Sequence, residues 1–208
     1  NRNSSVMQGS REISEEYLCL ENASLAPRLM NVLPDEKLYP AVIEITLPDS
    51  MTVIPFGTGE AEIVSEQEDG TSTWRYEDNG TGGILYAGDY IREDIEAGGI
   101  TVEFYYGRKH QEVMEEAGAA EAVKAVIDYC TEHYGTLSFS AGGRLKLIES
   151  RVVGGGYATE GASLLDEADF TAANLEDGGK GAAAGEVMIH ELVHQWWGLG
   201  NMFDSSDE

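Results

Sequence analysis

The feature that most constrains this chain is the segment H-E-L-V-H-Q-W-W-G at residues 190–198. Positions four apart on a helix lie on one face, one turn from each other, so His190 and His194 can direct both rings at the same metal ion. Glu191, beside the first histidine, is then placed to act on a water molecule near that ion. The spacing therefore predicts one Zn²⁺ site, with the two histidines as ligands and the glutamate as the base.

A plainer interpretation of this segment is a core helix that carries two incidental histidines and a solvated glutamate. The neighbouring residues argue against it. Most of segment 187–197 is apolar and Gly198 supplies a helix stop, so the sequence predicts an apolar helix that begins near Glu186. Histidines in such a helix need polar partners once they are buried, and a metal ion is the commonest partner at this spacing.

The composition limits the classes of partner. The 208 residues include 13 basic and 38 acidic side chains, which gives a formal net charge of −25. A field of that sign disfavours nucleic acid and anionic membrane surfaces, and it weakly favours cationic ligands. No apolar run approaches the roughly 18 residues of a membrane helix. Cys19 and Cys130 lack a metal-binding spacing and are predicted to be unpaired core residues.

Residues 1–109 are predicted to form an antiparallel β-rich domain. After a polar start at 1–16, which we expect to be loosely ordered, short β-branched or aromatic runs are separated by turns rich in Gly, Asp and Asn. In the last run, apolar residues alternate with more polar ones, as on a half-buried strand. The predicted strands are residues 17–20, 39–48, 51–55, 61–64, 73–76, 84–86 and 100–106.

The periodicity changes at the start of a second predicted domain, residues 110–208. Apolar residues in segment 111–134 recur at helical spacing, and a short strand is predicted at 145–149. His110 and His133 flank the helix without a second ligand at helical spacing, so we expect surface or capping roles for them. The sequence then runs through glycines and a loop into the motif helix.

The glycine-rich run before the motif has its own prediction. Gly155 and Gly156 carry no side chains and therefore permit another backbone to approach closely. The backbone of a substrate is one candidate, so both glycines are predicted to be substrate-binding residues. No Gly-Lys-Ser/Thr follows them, which excludes a phosphate-binding loop of the P-loop type.

Segment 190–198 resembles the signature of the aminopeptidase N family, zinc metallopeptidases of the gluzincin class. Its Gln-Trp-Trp-Gly tail is far more specific than the five-residue core. The helix, strand and glycine-rich run occur in the family's order, and the resemblance extends over residues 17–203, most strongly at 186–199. It implies an α+β chain, with the β-rich domain at 1–109 followed by the N-terminal part of a thermolysin-like catalytic domain at 110–208.

The resemblance also implies roles for individual residues. His190 and His194 would bind zinc, and Glu191 would be the general base of peptide hydrolysis. The family's Gly-Ala-Met-Glu-Asn strand carries a glutamate that binds the free α-amino group of a peptide substrate. Here Gly-Tyr-Ala-Thr-Glu occupies about that place, with Glu160 one position late. Glu160 is therefore either the amine anchor or a turn residue on a glycine-rich loop.

The family's third zinc ligand is a glutamate about 19 residues after the second histidine. That position lies beyond residue 208, so we expect a fragment truncated before the third ligand, with little activity and weak zinc binding alone. Two other functions stay open: a non-catalytic interaction or sensory module that keeps the peptidase fold, and a zinc endopeptidase. Similarity to the peptidase regions of some bacterial multi-pass membrane proteins leaves open a membrane-anchored parent protein, with this chain on the extracellular side.

Overall fold

The computed structural model describes seven stretches of the chain, which belong to two compact units. The first unit spans residues 1–90 and the second spans residues 91–208. This division falls earlier than the boundary drawn from the sequence at 109/110, because residues 90–107 form two strands in the sheet of the second unit. The described residues are 11–20, 41–57, 59–78, 84–137, 143–151, 155–171 and 183–199.

The described strands of the first unit pair in antiparallel fashion, as the sequence predicts. One sheet has the order β1-β2-β7-β4 and the other has the order β3-β6-β5. The strands are β1 (Arg11–Ile13), β2 (Tyr17–Leu20), β3 (Ala41–Pro48), β4 (Thr52–Pro55), β5 (Ala61–Glu66), β6 (Thr71–Asp78) and β7 (Leu85–Gly88).

Strand β1 lies in the polar start that the sequence suggested would be loosely ordered. It pairs with β2 across a turn that Ser14 closes, because the Ser14 hydroxyl accepts from the Tyr17 amide at 3.0 Å and donates to the Tyr17 carbonyl at 3.1 Å. Serine commonly closes turns in this way, a signal that strand propensity does not contain. Residues 1–10 lie outside the described part.

The first unit has an apolar core on one face of the three-stranded sheet. Along β3 the side chains alternate between half-buried and exposed, so that Ile43, Ile45 and Leu47 point inward. They pack on buried residues that include Val53 and Tyr76. Alternation of this kind is the pattern on which the strand predictions for this unit rest.

The second unit is built on a five-stranded mixed sheet of order β11-β12-β10-β9-β8. The central strand β10 pairs in parallel with β9 and β12, whereas the edge strand β11 is antiparallel to β12. The strands are β8 (Tyr90–Ala97), β9 (Ile100–Gly107), β10 (Arg144–Ser150), β11 (Gly156–Thr159) and β12 (Ala162–Asp166). β9 is buried on both faces, Glu103 included, so the prediction of a half-buried strand is wrong there.

Three helices pack on the face of this sheet that carries Phe104 and Leu147. The helix predicted at 111–134 is two helices, because Gly118 adopts a left-handed φ of 62° and interrupts it. The helices are α1 (Gln111–Ala117), α2 (Ala119–Tyr134) and α3 (Ala183–Val193). In the described part of the chain, no helix is long and apolar enough to cross a membrane.

Candidate metal and catalytic site

The motif occupies the end of α3 and the turns that follow it. α3 ends at Val193, yet the His194 amide still donates to the His190 carbonyl at 3.1 Å, the bond expected of a continuing α-helix. The amides of Gln195 and Trp196 donate three residues back instead, which tightens the last turn. Both histidines therefore keep the one-turn relation on which the sequence argument depends.

The two histidine rings lie side by side at right angles. Their centroids are 4.5 Å apart with an interplanar angle of 88°; His190 is exposed and His194 is half-buried. Nδ1 of His194 lies 3.1 Å from the Trp197 carbonyl, an oxygen that can only accept a hydrogen bond. Nδ1 must then carry the proton, so Nε2 keeps the lone pair that a metal ligand needs.

Glu191 completes the cluster. Its carboxylate and one ring nitrogen from each of His190 and His194 lie within 4.8 Å of one another, which makes this the one group of three or more potential metal ligands among the described residues. Glu191 is 6% exposed. Burial raises the pKa of the Glu191 carboxyl above its ordinary value, although the two histidines pull that pKa down. A carboxylate with a raised pKa is a better proton acceptor.

Gly156 provides the space that Glu191 occupies. A Cβ atom added at Gly156 would lie 2.6 Å from Cδ of Glu191 and closer still to its Cγ and Oε1. Contacts that short do not occur between real side chains, so the edge strand β11 can only lie against α3 with glycine here. The group that lies against Gly156 in this structure is therefore the side chain of Glu191.

Gln195 ties the motif to the β11–β12 hairpin. Its side chain is fully buried; Oε1 accepts from the Gly161 amide at 3.2 Å, and Nε2 donates to the Thr159 carbonyl at 3.0 Å. Nε2 also lies 3.3 Å from the Ser163 hydroxyl, which donates to the carbonyl of Glu191 at 3.0 Å. A buried amide is costly unless both ends are paired, and here both ends are.

The tryptophans and the glycine of the motif anchor its other side. Trp196 is buried and its Nε1 donates to the Gly135 carbonyl at the end of α2, at 2.8 Å. The ring of Trp197 meets Tyr134 edge to face at 4.1 Å. Gly198 has a φ of 93°, and a Cβ there would lie 3.2 Å from Nδ1 of His194. The specific tail of the motif thus holds the turn that orients His194.

The remaining predicted site residues lie in and beside the hairpin. Glu160 is exposed and stands in the two-residue turn between β11 and β12, while Gly155 precedes β11 with a φ of 98° and its carbonyl accepts from the Asp166 amide at 2.8 Å. Gly155 has open space where a Cβ would be. The structure therefore places Gly156, and not Gly155, against Glu191.

The other two histidines have structural partners. His110 stacks on Phe170, and its Nδ1 lies 2.9 Å from the buried carboxylate of Glu149. His133 is exposed, and its Nδ1 lies 2.9 Å from the Tyr129 carbonyl. His133 fits the predicted surface or capping role, whereas His110 is half-buried, makes no capping hydrogen bond with its side chain and pairs with a buried carboxylate instead. Cys19 and Cys130 are buried and form no disulfide, as predicted.

The sequence did not predict the hydrogen bonds that Gln195 and Ser163 make between the motif and the β11–β12 hairpin. The glutamine belongs to the recognised motif but was given no role, because spacing along one helix says nothing about a partner on a distant strand. One local signal did exist: Glu160–Gly161 stands between two short β-prone runs, the pattern of a two-residue hairpin.

The donor atoms of this cluster match part of the ligand set of a zinc ion. Two imidazoles four residues apart with a neighbouring carboxylate are a common zinc set, and the tautomer of His194 leaves Nε2 available. A structural zinc site closes with four protein ligands, whereas a catalytic one uses three and leaves a position open. The geometry thus allows His190 and His194 to offer two ligand atoms, with the carboxylate of Glu191 beside them.

Comparison with solved structures relates the chain to M1 zinc metallopeptidases. One is a mutant two-domain M1 zinc metallopeptidase bound to L-tryptophan, with a TM-score of 0.53 and 15% identity. A second is a mutant two-domain M1 zinc metallopeptidase bound to L-arginine, with a TM-score of 0.53 and 14% identity. The matches cover 94% and 92% of this chain but only 43% and 42% of the solved chains. No protein-family model and no curated protein matches the sequence.

This likeness shows that the chain has a peptidase-like fold. The chain spans less than half the length of the solved structures. Its β-rich architecture, with antiparallel sheets and few helices, agrees with the N-terminal region of an M1 peptidase. The identity is too low to carry activity from those proteins to this one.

Proposed function

We propose that the protein to which this chain belongs is a zinc-dependent peptidase, and specifically an aminopeptidase. The observation that carries the proposal is the cluster of His190, Glu191 and His194, whose ligand atoms lie within 4.8 Å of one another. In this proposal residues 110–208 are the N-terminal part of a thermolysin-like catalytic domain. Residues 1–109 form its β-rich partner domain, except that β8 and β9 belong to the five-stranded sheet.

His190 and His194 would hold the ion through one ring nitrogen each. A bound zinc ion supplies a Lewis acid that polarises a carbonyl group and makes a nearby water molecule more acidic. The third ligand is expected outside these 208 residues, so the isolated chain should bind zinc weakly and turn over little substrate. Hydrolysis of an aminoacyl-anilide by the isolated chain at the rate of the parent protein would contradict this part of the proposal.

Glu191 is the proposed proton carrier. Its buried carboxylate takes a proton from water at one oxygen and then passes that proton to the amine that leaves as the peptide bond breaks. Burial favours this role, because a carboxyl with a raised pKa binds the proton more readily. Gly156 confines the carboxylate from the side of the edge strand, so the group that accepts the proton is held in place.

The substrate is proposed to be a peptide with a free N-terminus. Glu160 is exposed in the hairpin turn, where a carboxylate can receive a cationic amine, and the net charge of −25 favours cationic ligands. The two solved structures named above hold free amino acids, which also carry an α-amino group. A zinc endopeptidase would be the better conclusion if substrates with a blocked N-terminus were cleaved equally well.

Substitution of Glu191 by Gln in the parent protein tests the mechanism. The change keeps the size of the side chain but removes the base, so aminoacyl-anilide turnover should fall by about a hundredfold or more. Zinc content, measured by elemental analysis, should stay the same, because both histidines remain.

Glu132→Gln is the matched control, since it removes the same charge from the exposed side of α2 and should leave turnover unchanged. Turnover that survives Glu191→Gln with zinc bound would show that the proton acceptor is another group. Loss of zinc in Glu191→Gln would show that Glu191 is a ligand instead.

A further inference from the structure

The side chain of Gln195 brackets the backbone of Glu160. Its Oε1 accepts from the amide of Gly161, the residue after Glu160, at 3.2 Å. Its Nε2 donates to the carbonyl of Thr159, the residue before Glu160, at 3.0 Å. One carboxamide thus holds both peptide groups that flank the exposed glutamate in the two-residue turn.

Gln195 also directly follows His194 in the chain. The turn that carries the second histidine and the hairpin turn that carries Glu160 are therefore joined by one buried side chain. Two-residue turns at the end of an edge hairpin are otherwise free to shift, because few tertiary contacts restrain them. Here the restraint comes from the metal-ligating segment itself.

We infer that Gln195 is a positioning residue that fixes the carboxylate of Glu160 relative to His190 and His194, and thereby sets the preference for a free α-amino group. The inference rests on the proposed function, in which Glu160 binds the substrate amine. It adds a residue that touches neither the metal ion nor the substrate.

Glutamine suits this position because the two flanking groups are of opposite kinds. The Gly161 amide needs an acceptor, and the Thr159 carbonyl needs a donor; a carboxamide offers both at once. Glutamate at 195 can accept but cannot donate to the carbonyl. Leucine can do neither, and it would leave both groups unpaired in a region where the side chain is 0% exposed.

Ser163 extends the same network to the base. Its hydroxyl lies 3.3 Å from Nε2 of Gln195 and donates to the carbonyl of Glu191 at 3.0 Å. Ser163 stands on β12, one strand in from the edge, where its backbone is held on both sides by β10 and β11. One hydrogen-bond network therefore connects three parts of the site. They are the β11–β12 hairpin, the turn that carries His194 and the backbone of Glu191.

The first experiment needs no metal ion. Amide hydrogen exchange of the 208-residue chain, followed by NMR, compares Gly161 in the wild type with Gln195→Leu and Gln195→Glu. The Gly161 amide should exchange about tenfold faster or more in Gln195→Leu, because its acceptor is gone. Gln195→Glu should lose less protection than Gln195→Leu, because a carboxylate oxygen can still accept from Gly161 although it cannot donate to the Thr159 carbonyl. Unchanged exchange at Gly161 in Gln195→Leu would overturn the inference.

Trp196→Phe is the matched control for this series. It removes a hydrogen bond of the adjacent residue, to the Gly135 carbonyl, on the side of α2 and away from the hairpin. Gly161 should exchange as in the wild type. If Trp196→Phe speeds exchange at Gly161 as much as Gln195→Leu does, any loosening of the motif suffices and Gln195 has no specific positioning role.

The second experiment measures amine preference in the zinc-loaded parent protein. The probes are L-leucine hydroxamate and its N-acetyl derivative, and the readout is the ratio of their dissociation constants by calorimetry. A charge-assisted contact to a free amine should give the wild type a preference of about tenfold or more. Gln195→Leu should lose that preference, and Glu160→Gln, which leaves the buried network of Gln195 in place, should lose it while zinc content and affinity for the N-acetyl probe stay the same.

These outcomes separate the two proposals. A Gln195→Leu protein that retains the preference overturns the positioning role, even if Glu191→Gln has confirmed the peptidase mechanism. A wild type that shows no preference overturns the role of Glu160, and the positioning role with it, while zinc-dependent hydrolysis can still stand as endopeptidase activity. If Glu191→Gln leaves turnover intact but Gln195→Leu loses the preference, the mechanism fails and the positioning role stands.

Discussion

Two buried polar networks in the five-stranded sheet of the second unit differ in kind. The face toward α3 holds Ser163 on β12, which joins the neutral side chain of Gln195. The opposite face holds Glu103 on β9 and its register partner Lys146 on β10, together with Arg144. The two faces alternate along each strand, since successive side chains point to opposite sides.

The difference lies in what each network depends on. Every polar atom of Gln195 is matched by a fixed backbone or hydroxyl partner, so its geometry does not change with pH. Glu103 is 0% exposed and accepts from Tyr105 at 2.8 Å and from Arg144, with Arg92 at 3.5 Å. Its network balances buried charges, so removal of one charge leaves others without compensation.

The largest effect is expected from Glu103→Gln. The change removes the anion that Lys146 and Arg144 face, while Arg92 keeps Asp94 at 2.6 Å, and loss of one partner from a buried pair costs about 3–5 kcal/mol. We expect the free energy of unfolding, measured by urea denaturation at pH 7, to fall by about that amount. Arg92 and Arg144 are partly exposed, so solvent screening places the expected value at the lower end of this range.

Glu62→Gln is the control for Glu103→Gln. Glu62 pairs with Arg75 at 3.6 Å on an exposed strand, and such pairs contribute about 0–1 kcal/mol. Equal effects of the two substitutions would show that the buried cluster is no more than a set of surface ion pairs.

A smaller effect follows from Lys146. Burial lowers the pKa of Lys146 from 10.5 to about 8, Glu103 opposes this shift, and Arg92 and Arg144 add to it. Between those two values the unfolded chain binds more protons than the folded chain, so stability should rise with pH. The full shift bounds the rise at about 3 kcal/mol. Lys146→Met should abolish it.

The measurement is urea denaturation at pH 8, 9 and 10, for the wild type and Lys146→Met. The pH range stops there because burial raises the pKa of Tyr105 above its ordinary 10.0, and a raised tyrosine pKa makes stability fall with pH beyond that value. Parallel curves for the two proteins would show that Lys146 is not the group responsible.

Much of the fold could be predicted where the signal is local. The alternation along 41–48 and the helical spacing along 119–134 each describe one element, and the structure has both. The sequence does not predict β8, because its run Tyr90–Ala97 mixes charged and apolar residues and its pairing depends on a neighbouring strand. The sequence does not predict β11 and β12 either, because Gly156 begins β11 and Gly161 precedes β12, and glycines on sequence alone indicate a loop.

The candidate site likewise has a part that local sequence patterns predict and a part that they do not. Spacing alone predicted that His190, Glu191 and His194 would come together, because a helix turn brings them together. It could not predict that Gly156 abuts Glu191 or that Gln195 spans the hairpin turn, since each contact joins residues more than thirty positions apart. Such contacts depend on the order of strands in the sheet, and local patterns do not contain that order.

The smallest effect we expect is that of Gly156→Ala, and it bears on the side of the sheet that faces α3. The new Cβ would overlap Glu191, so the edge strand or the glutamate must shift, at a cost of about 1–3 kcal/mol. Gly155→Ala is the matched control: it meets open space, and its φ of 98° gives a backbone cost of about 1–2 kcal/mol. Stability alone therefore separates the two variants poorly.

Their separation comes from turnover by the parent protein. Gly156→Ala should lower turnover well beyond its effect on folding, because the displaced carboxylate belongs to the proposed base, and zinc content should persist. Gly155→Ala should lower stability with turnover per folded molecule nearly unchanged. If the two variants lose turnover equally, the glycines act through the backbone of the hairpin, and the contact between Gly156 and Glu191 does not position the base.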